Sequence, residues 1–382
     1  MPTITSFPHF FSQTDIRIFQ DIKTVTDYLI QQYDAKCYVV GGAVRDRILG
    51  HACKDYDIEC FGISVEEFET AMAYLDAQGV GKSFFVYKYH GLDISLPRTE
   101  KKVAKGHRGF EVSLALEEKE ASKRRDFTVN ALMYDIQNEQ ILDFWNGLED
   151  IEDRVLRVVD EETFVEDSLR VLRAMQFAAR YGFKVEEKSC RLCQGISLDD
   201  LPKERIFGEF EKLFVGDHLH YGLYYLSALG IGQQLFDLQI GRKTFMVLSR
   251  VLQKSQKHFV EKLRPYYFLF ICKTYLSIEM QAVLHRLGAP KSYYKKVGAV
   301  SVPAEITAAF IANLALKEGI AEYLGNYHPE VVALAKKLDV WDKPFDRGVT
   351  AEALMAEGFS GKELGEELER RTREKILSLK EK

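Results

Sequence analysis

Two carboxylates spaced two apart, Asp55 and Asp57, fall in the alternating stretch 55–60, which reads as a β-strand. On a strand, residues i and i+2 share a face, so the pair is placed to share divalent metals held about 3.5 to 4 Å apart. Hard oxygen ligands of this kind suit Mg²⁺. A strand with one solvated face also carries alternating acids, so the pair needs company. Gly41 and Gly42 lead into a helix that begins with Val44 and Arg45. Free N–H groups at a helix start, with a guanidinium nearby, make a cradle for a triphosphate. Asp93, flanked by Leu92 and Ile94, falls on the polar face of its own strand. It is a third carboxylate if that strand lies beside 55–59, and an exposed strand acid if not.

The elements that must position these groups are legible from periodicity. Phe19, Ile22, Val25 and Leu29 mark one face of an opening helix, 37–40 is a short β-branched run, and 66–77 reads as a helix. Leu92, Ile94 and Leu96 line one side of a further strand. Between residues 98 and 125, nine Lys or Arg stand against five acids with weak periodicity, which reads as a basic loop. Beyond Asp150 nearly every segment has helical spacing: 164–181 reads as one long helix stopped by Gly182, and 203–214 as another carrying Ile206, Phe210 and Leu213. The fold class is an α/β head followed by an all-α remainder.

At 382 residues the chain is too long for one ordinary core, and 46% apolar with 29% charged residues is the balance of a globular protein. The longest dense apolar stretch, 266–272, is far short of the roughly 20 residues a bilayer-spanning helix needs, and the opening residues lack a secretory pattern. We expect no membrane contact and a cytoplasmic location. The formal charge of -5 confines any nucleic-acid binding to local basic surfaces. The six cysteines, with Cys190 and Cys193 the only close pair, match no zinc framework and read as buried free thiols.

Residues 41–46 (GGAVRD) followed by 54–57 (KDYD) resemble the first motif of the class II tRNA nucleotidyltransferase and bacterial poly(A) polymerase family, within the DNA polymerase beta-like superfamily. Further matches follow in order. Residues 124–131 (RRDFTVNA) resemble the ribose-selecting motif, 143–150 the flexible hinge segment, and 166–170 (EDSLR) the nucleotide-selecting motif. Arg205, Ile206 and Glu209 are similar to the last, structural motif, and 358–365 (GFSGKELG) is a looser likeness to the tRNA-modifying branch. The five ordered motifs span about 38–214, a little over half the chain. No His-Asp dipeptide occurs in the helical half, so the phosphohydrolase domain of some relatives is not expected.

The resemblance implies a nucleotidyltransferase head at 1–145, a helical neck at 146–215 and an RNA-binding body and tail at 216–382. Asp55 and Asp57, with Asp93, would hold two Mg²⁺. Gly41, Gly42, Arg45, Arg125, Asp126, Asn130, Glu166, Asp167, Arg170 and Arg173 would bind the nucleotide. Arg125 and Asp126 would meet the triphosphate and ribose, although Asp126 also suits a helix cap. Arg205 and Glu209, four apart, read as a structural ion pair. On a helix Asp167 and Arg170 share a face and offer one acceptor and one forked donor. Read without the family, they are an ordinary surface pair. Cytosine and adenine each show an amino donor beside a ring-nitrogen acceptor, whereas uracil and guanine do not, so the pair would accept CTP and ATP, with Glu166 steering Arg170. The implied activity is addition of CCA to the acceptor end of tRNA. The alternatives are a poly(A) polymerase, a partner-dependent CC-adding or A-adding enzyme, and a catalytically silent RNA-binding protein. No protein partner is inferable.

Overall fold

The computed structural model describes residues 1–53, 55–80, 85–102, 110–276, 278–298 and 305–379, by backbone alone at 100–102 and 110–112. Lys54 of the first motif, and Lys105 and Arg108 of the basic stretch, lie outside the described residues. The chain divides into two compact units, Met1–Arg205 with Tyr225–Gln234, and Ile206–Tyr224 with Leu235–Lys382.

The first unit is built on an eight-stranded mixed sheet. Its strands are β1 (Thr3–Ser6), β2 (Lys36–Val40), β3 (Asp57–Phe61), β4 (Gln78–Gly79), β5 (Val86–Tyr89), β6 (Leu92–Ser95), β9 (Met133–Asp135) and β10 (Gln140–Asp143), and between β6 and β9 the chain forms β7 (Arg98–Lys102) and β8 (Phe110–Leu114). The order across the sheet is β1-β10-β9-β2-β3-β6-β5-β4. The pair that positions the site is β3 with β6, which run parallel and set Asp57 opposite Asp93. Leu92, Ile94 and Leu96 are buried on one side of β6, which leaves Asp93 on the other.

Helix α1 (Ile16–Tyr33) is capped by the Asp15 carboxylate, which accepts from the Arg17 N–H at 2.8 Å. It buries Ile22, Val25, Thr26 and Leu29, close to the expected face. Helix α2 (Gly42–Ile48) follows β2 through Gly41, whose φ of 71° is open to glycine at little cost. Helix α3 (Val65–Tyr74) starts in a capping box of Ser64 and Glu67.

Three local readings are corrected. β3 begins at Asp57, so Asp55 lies two residues before the strand rather than within it. The basic stretch contains an antiparallel ribbon, β7 with β8, whose register sets Lys101 opposite Glu111. No apolar period announces this pairing. The long helix expected over 164–181 is broken. After α4 (Glu118–Lys123) and α5 (Gly147–Glu152), a short α6 (Glu161–Phe164) precedes α7 (Leu169–Tyr181). The Asp167 carboxylate accepts from the Leu169 N–H at 3.2 Å, and Ser168 donates its hydroxyl to Asp200 Oδ1 at 2.6 Å. Short polar side chains thus compete with the helical ladder. Gly182, left-handed with φ 69°, ends α7 as expected.

The remainder is helical. Helix α8 (Glu187–Gln194) belongs to the first unit, and the helix Lys203–Phe214 matches its expected span. In the second unit Phe214 stacks on Phe268, and Tyr267 donates a buried hydrogen bond to Asn326 Oδ1 at 2.6 Å. All six cysteines are free thiols, four of them buried and Cys53 and Cys190 partly exposed. No helix among the described residues is long and apolar enough to cross a membrane.

Candidate functional site

The residues expected to hold metal and nucleotide lie on the first unit in three groups. In the first, Gly41 closes β2 and packs against Arg125, whose Nη1 lies 3.0 Å from where a Cβ on Gly41 would sit. Arg125 Nη2 donates to Glu59 Oε1 at 2.7 Å. Glu59 stands two residues after Asp57 on β3, and Asp57 is the register partner of Asp93.

The acids of this group repel one another. Loss of water around Asp57 pushes its carboxyl above the usual value, Arg125 and Arg124 pull it down, and Asp93 and Glu59 add to the rise. Asp93 Oδ1 accepts from Lys88 Nζ at 2.6 Å across the β5–β6 ladder. That contact, with the fields of Asp57 and Asp55, raises the lysine pKa.

Among the described residues no three His, Cys, Asp or Glu side chains cluster closely enough to hold a metal. The donor set nevertheless suits a hard cation: Asp55 and Asp57 offer carboxylate oxygens, and Asp93 and Glu59 add to the rise that loss of water gives the Asp57 pKa. Asp93, the register partner of Asp57, also bonds Lys88.

The second group is a buried polar chain. Asp126 is 5% exposed; its Oδ1 accepts from the Phe127 N–H and from Asn130 Nδ2, each at 2.8 Å, and its Oδ2 accepts from Arg173 Nε at 2.6 Å. Burial pushes this carboxyl up, but Arg173 and the Asn130 bond pull harder and it titrates below the usual range. Asn130 Oδ1 in turn accepts from Arg45. Arg45, 4% exposed, also donates to Asp46 and to the Tyr181 hydroxyl, and its guanidinium lies over the rings of Phe177 and Tyr181. Arg45 therefore sits beneath the glycine turn, bound into the scaffold. Asp126 lies two residues before a 3₁₀ turn at Thr128–Asn130, whose N-cap is Phe127, so no α-helix starts there for it to cap.

The residues expected to select the nucleotide lie just before and on α7. Arg170 donates through Nη1 to the Thr163 carbonyl at 2.7 Å and through Nη2 to the Arg124 carbonyl at 2.6 Å. Two fixed acceptors hold its fork in one plane. Asp167 precedes the helix; its carbonyl accepts from the Arg170 N–H at 3.1 Å, so the two residues still share a turn. Glu166 is half-buried beside them. The expected Arg205–Glu209 pair is corrected: Arg205 Nη2 donates to Asp167 Oδ2 at 3.1 Å, whereas Glu209 accepts from Lys212 at 2.7 Å. Arg205 is thus drawn to the carboxylate of the nucleotide-selecting motif.

The segment resembling a hinge is held by many bonds. Asp143 accepts from the N–H groups of Trp145, Gly147 and Leu148 at 2.9 to 3.0 Å, and Asp150 accepts from the Thr128 hydroxyl at 2.6 Å. A Cβ on Gly147 would sit 2.3 Å from the Thr128 carbonyl oxygen, so only glycine fits.

Three participants were not singled out from the sequence. Glu59 continues the alternation of Asp55 and Asp57, and that period was the available signal. Lys88 and Tyr181 come from other elements, and nothing in their local sequence marks them.

Residues 37–157 match the family model described as "Poly A polymerase head domain", and residues 182–239 match "Probable RNA and SrmB- binding site of polymerase A". A protein of Stenotrophomonas maltophilia named "Multifunctional CCA protein" is 41% identical over 198 residues, covering 48% of this chain and 46% of that protein. The "CCA-adding enzyme" of Lactococcus lactis subsp. cremoris is 32% identical over 281 residues, covering 70% and 67%. Several of the matched relatives are covered over about half of their length. The solved structure of a Thermotoga maritima CCA-adding enzyme complexed with tRNA superposes with a TM-score of 0.71 at 24% identity, over 98% of this chain and 95% of that one. At that identity the likeness speaks for the fold. The head-domain match and the Lactococcus relative, which is covered over two thirds of its length, lead to one conclusion: this chain belongs to the class II tRNA nucleotidyltransferase and bacterial poly(A) polymerase family.

Proposed function

We propose that this chain adds CCA to the 3′ end of tRNA from CTP and ATP, without a nucleic-acid template. The observation that carries this reading is the resemblance to a CCA-adding enzyme over 70% of the chain, well past the head domain. The proposed division is a catalytic head at 1–145, a nucleotide-selecting neck at 146–215, and a body and tail at 216–382 that grip RNA through phosphate and shape contacts.

Family members use a divalent metal, and Mg²⁺ is the ion we assign, with Asp55 and Asp57 as its holders. When bound it would lower the pKa of the primer 3′-hydroxyl and offset charge on the departing pyrophosphate. The chain's own residues do the rest. Gly41 brings backbone close to the phosphates, and Arg125, clamped beside it, offers its guanidinium to them. We assign Asp126 and Asn130 to the ribose. Arg45 and Arg173 reach the nucleotide through them, as scaffold. The 3′-oxygen attacks the α-phosphorus as the bond to the β-phosphate breaks, and pyrophosphate leaves.

Base choice is assigned to Asp167 and Arg170. The fork of Arg170, set by two carbonyls, would donate to the ring nitrogen of C or A, and Asp167 would accept from the amino group. Uracil and guanine present the reverse pattern and would leave both side chains unmatched. Glu166 lies close by to steer the arginine. A cytoplasmic location accompanies this substrate.

The test gives purified protein, with Mg²⁺, a tRNA lacking its last three nucleotides. CTP alone should extend it by two residues, and CTP with ATP by three. A long A tail from ATP alone would instead make the protein a poly(A) polymerase, and failure to extend any RNA would leave the silent RNA-binding alternative.

A further inference from the structure

Glu59 is 2% exposed and carries a carboxylate that the mechanism above leaves without a task. A charge at that depth is costly unless it is paired. Glu59 is paired twice through one atom: Oε1 accepts from Arg124 Nη2 at 2.8 Å and from Arg125 Nη2 at 2.7 Å. The two guanidiniums follow one another in sequence and repel, so a single carboxylate between them fixes both. Glu59 takes one N–H of Arg125, a group with five donors, so the guanidinium still suits an incoming polyphosphate.

Each arginine leads to a different part of the site. Arg125 is pressed to the Gly41 turn, with Nη1 3.0 Å from the position of a Cβ there. Arg124 offers its carbonyl to Arg170 Nη2 at 2.6 Å. Glu59 also shares β3 with Asp57, two residues away. One buried carboxylate therefore joins the metal-bearing strand, the phosphate-facing arginine and the base-selecting arginine.

We propose that Glu59 is a positioning residue that aligns Arg125 for the nucleotide phosphates and, through Arg124, sets Arg170 for base choice. This rests on the nucleotidyl-transfer reading above. Glu59→Gln keeps the shape but removes the charge that gathers the two guanidiniums. The expected result is a rise in KM for CTP and ATP of about tenfold, which corresponds to about 1.4 kcal/mol. kcat at saturation should stay within about threefold, and UTP incorporation relative to CTP should rise. A merely structural role would lower the active fraction, and so kcat, while leaving KM and the UTP to CTP ratio at wild-type values. That pattern would overturn the proposal. Glu59→Asp keeps the charge one methylene further back and should recover part of the lost CTP affinity, measured directly by calorimetry without RNA. An Asp variant no better than the Gln variant would equally overturn it. If the wild type binds CTP but transfers nothing, the functional reading fails, while the calorimetric comparison of the Gln and Asp variants still decides the role of Glu59.

Discussion

Asp126→Asn is the sharpest probe of the buried polar chain. Both carboxylate oxygens face donors: Phe127 N–H and Asn130 Nδ2 on Oδ1, Arg173 Nε on Oδ2. An amide has one oxygen, so in either orientation its NH₂ meets a donor. One charge-assisted bond is lost and a buried donor is left without an acceptor, which together cost about 2 to 4 kcal/mol. The wild-type pKa is depressed. The stability it contributes is therefore fully present above the unfolded value of about 3.9 and lost as pH falls through the lower folded pKa. The gap between wild type and variant should be wide at pH 7 and close below about pH 3.9. The assay is urea denaturation followed by fluorescence. Trp145 lies in the first unit and Trp341 in the second, so a Trp341→Phe background reports on the unit that holds Asp126. A variant within about 0.5 kcal/mol of wild type, or a gap that does not change with pH, would refute the network as drawn.

Gly147→Ala puts a methyl 2.3 Å from the Thr128 carbonyl oxygen, and the same fluorescence assay should show a loss of about 1 to 3 kcal/mol or more. Asp57→Asn should lower nucleotidyl transfer by roughly 10³-fold or more by removing a metal holder, with tRNA affinity kept in filter binding. Because the Asp57 pKa is raised, the metal-free wild type loses stability as pH rises through it, so without metal the Asn variant should melt no lower than wild type at pH 7. Arg170→Ala should raise UTP and GTP incorporation more than it weakens CTP binding; a variant that stays strict for C and A would place base choice elsewhere.

Much of the frame was legible because burial repeats with a fixed period. Ile22, Val25 and Leu29 on α1, and Leu92 with Ile94 on β6, announce their elements through the residues they hide. The register of Asp57 with Asp93 met the condition that the sequence could only state. What stayed hidden was held by polar groups. The break before α7 follows from Asp167 bonding locally to the Leu169 N–H and Ser168 bonding to distant Asp200, and Arg205 turns to Asp167 because tertiary position outweighs the i,i+4 spacing to Glu209. The partners of Arg170 are the backbone carbonyls of Thr163 and Arg124, which no residue type encodes. Lys88 reaches Asp93 through strand pairing across a tight turn, and Tyr181 reaches Arg45 from 136 residues away.

The central claim is that this protein completes the CCA end and then stops. Its most direct test offers all four nucleoside triphosphates together with Mg²⁺ and an equal mixture of tRNA lacking CCA and an unrelated RNA, followed by sequencing of every 3′ end. One CCA on the tRNA, no U or G at these positions, and little change to the other RNA are expected. Runs of A on both RNAs, or ends drawn from all four nucleotides, would contradict it.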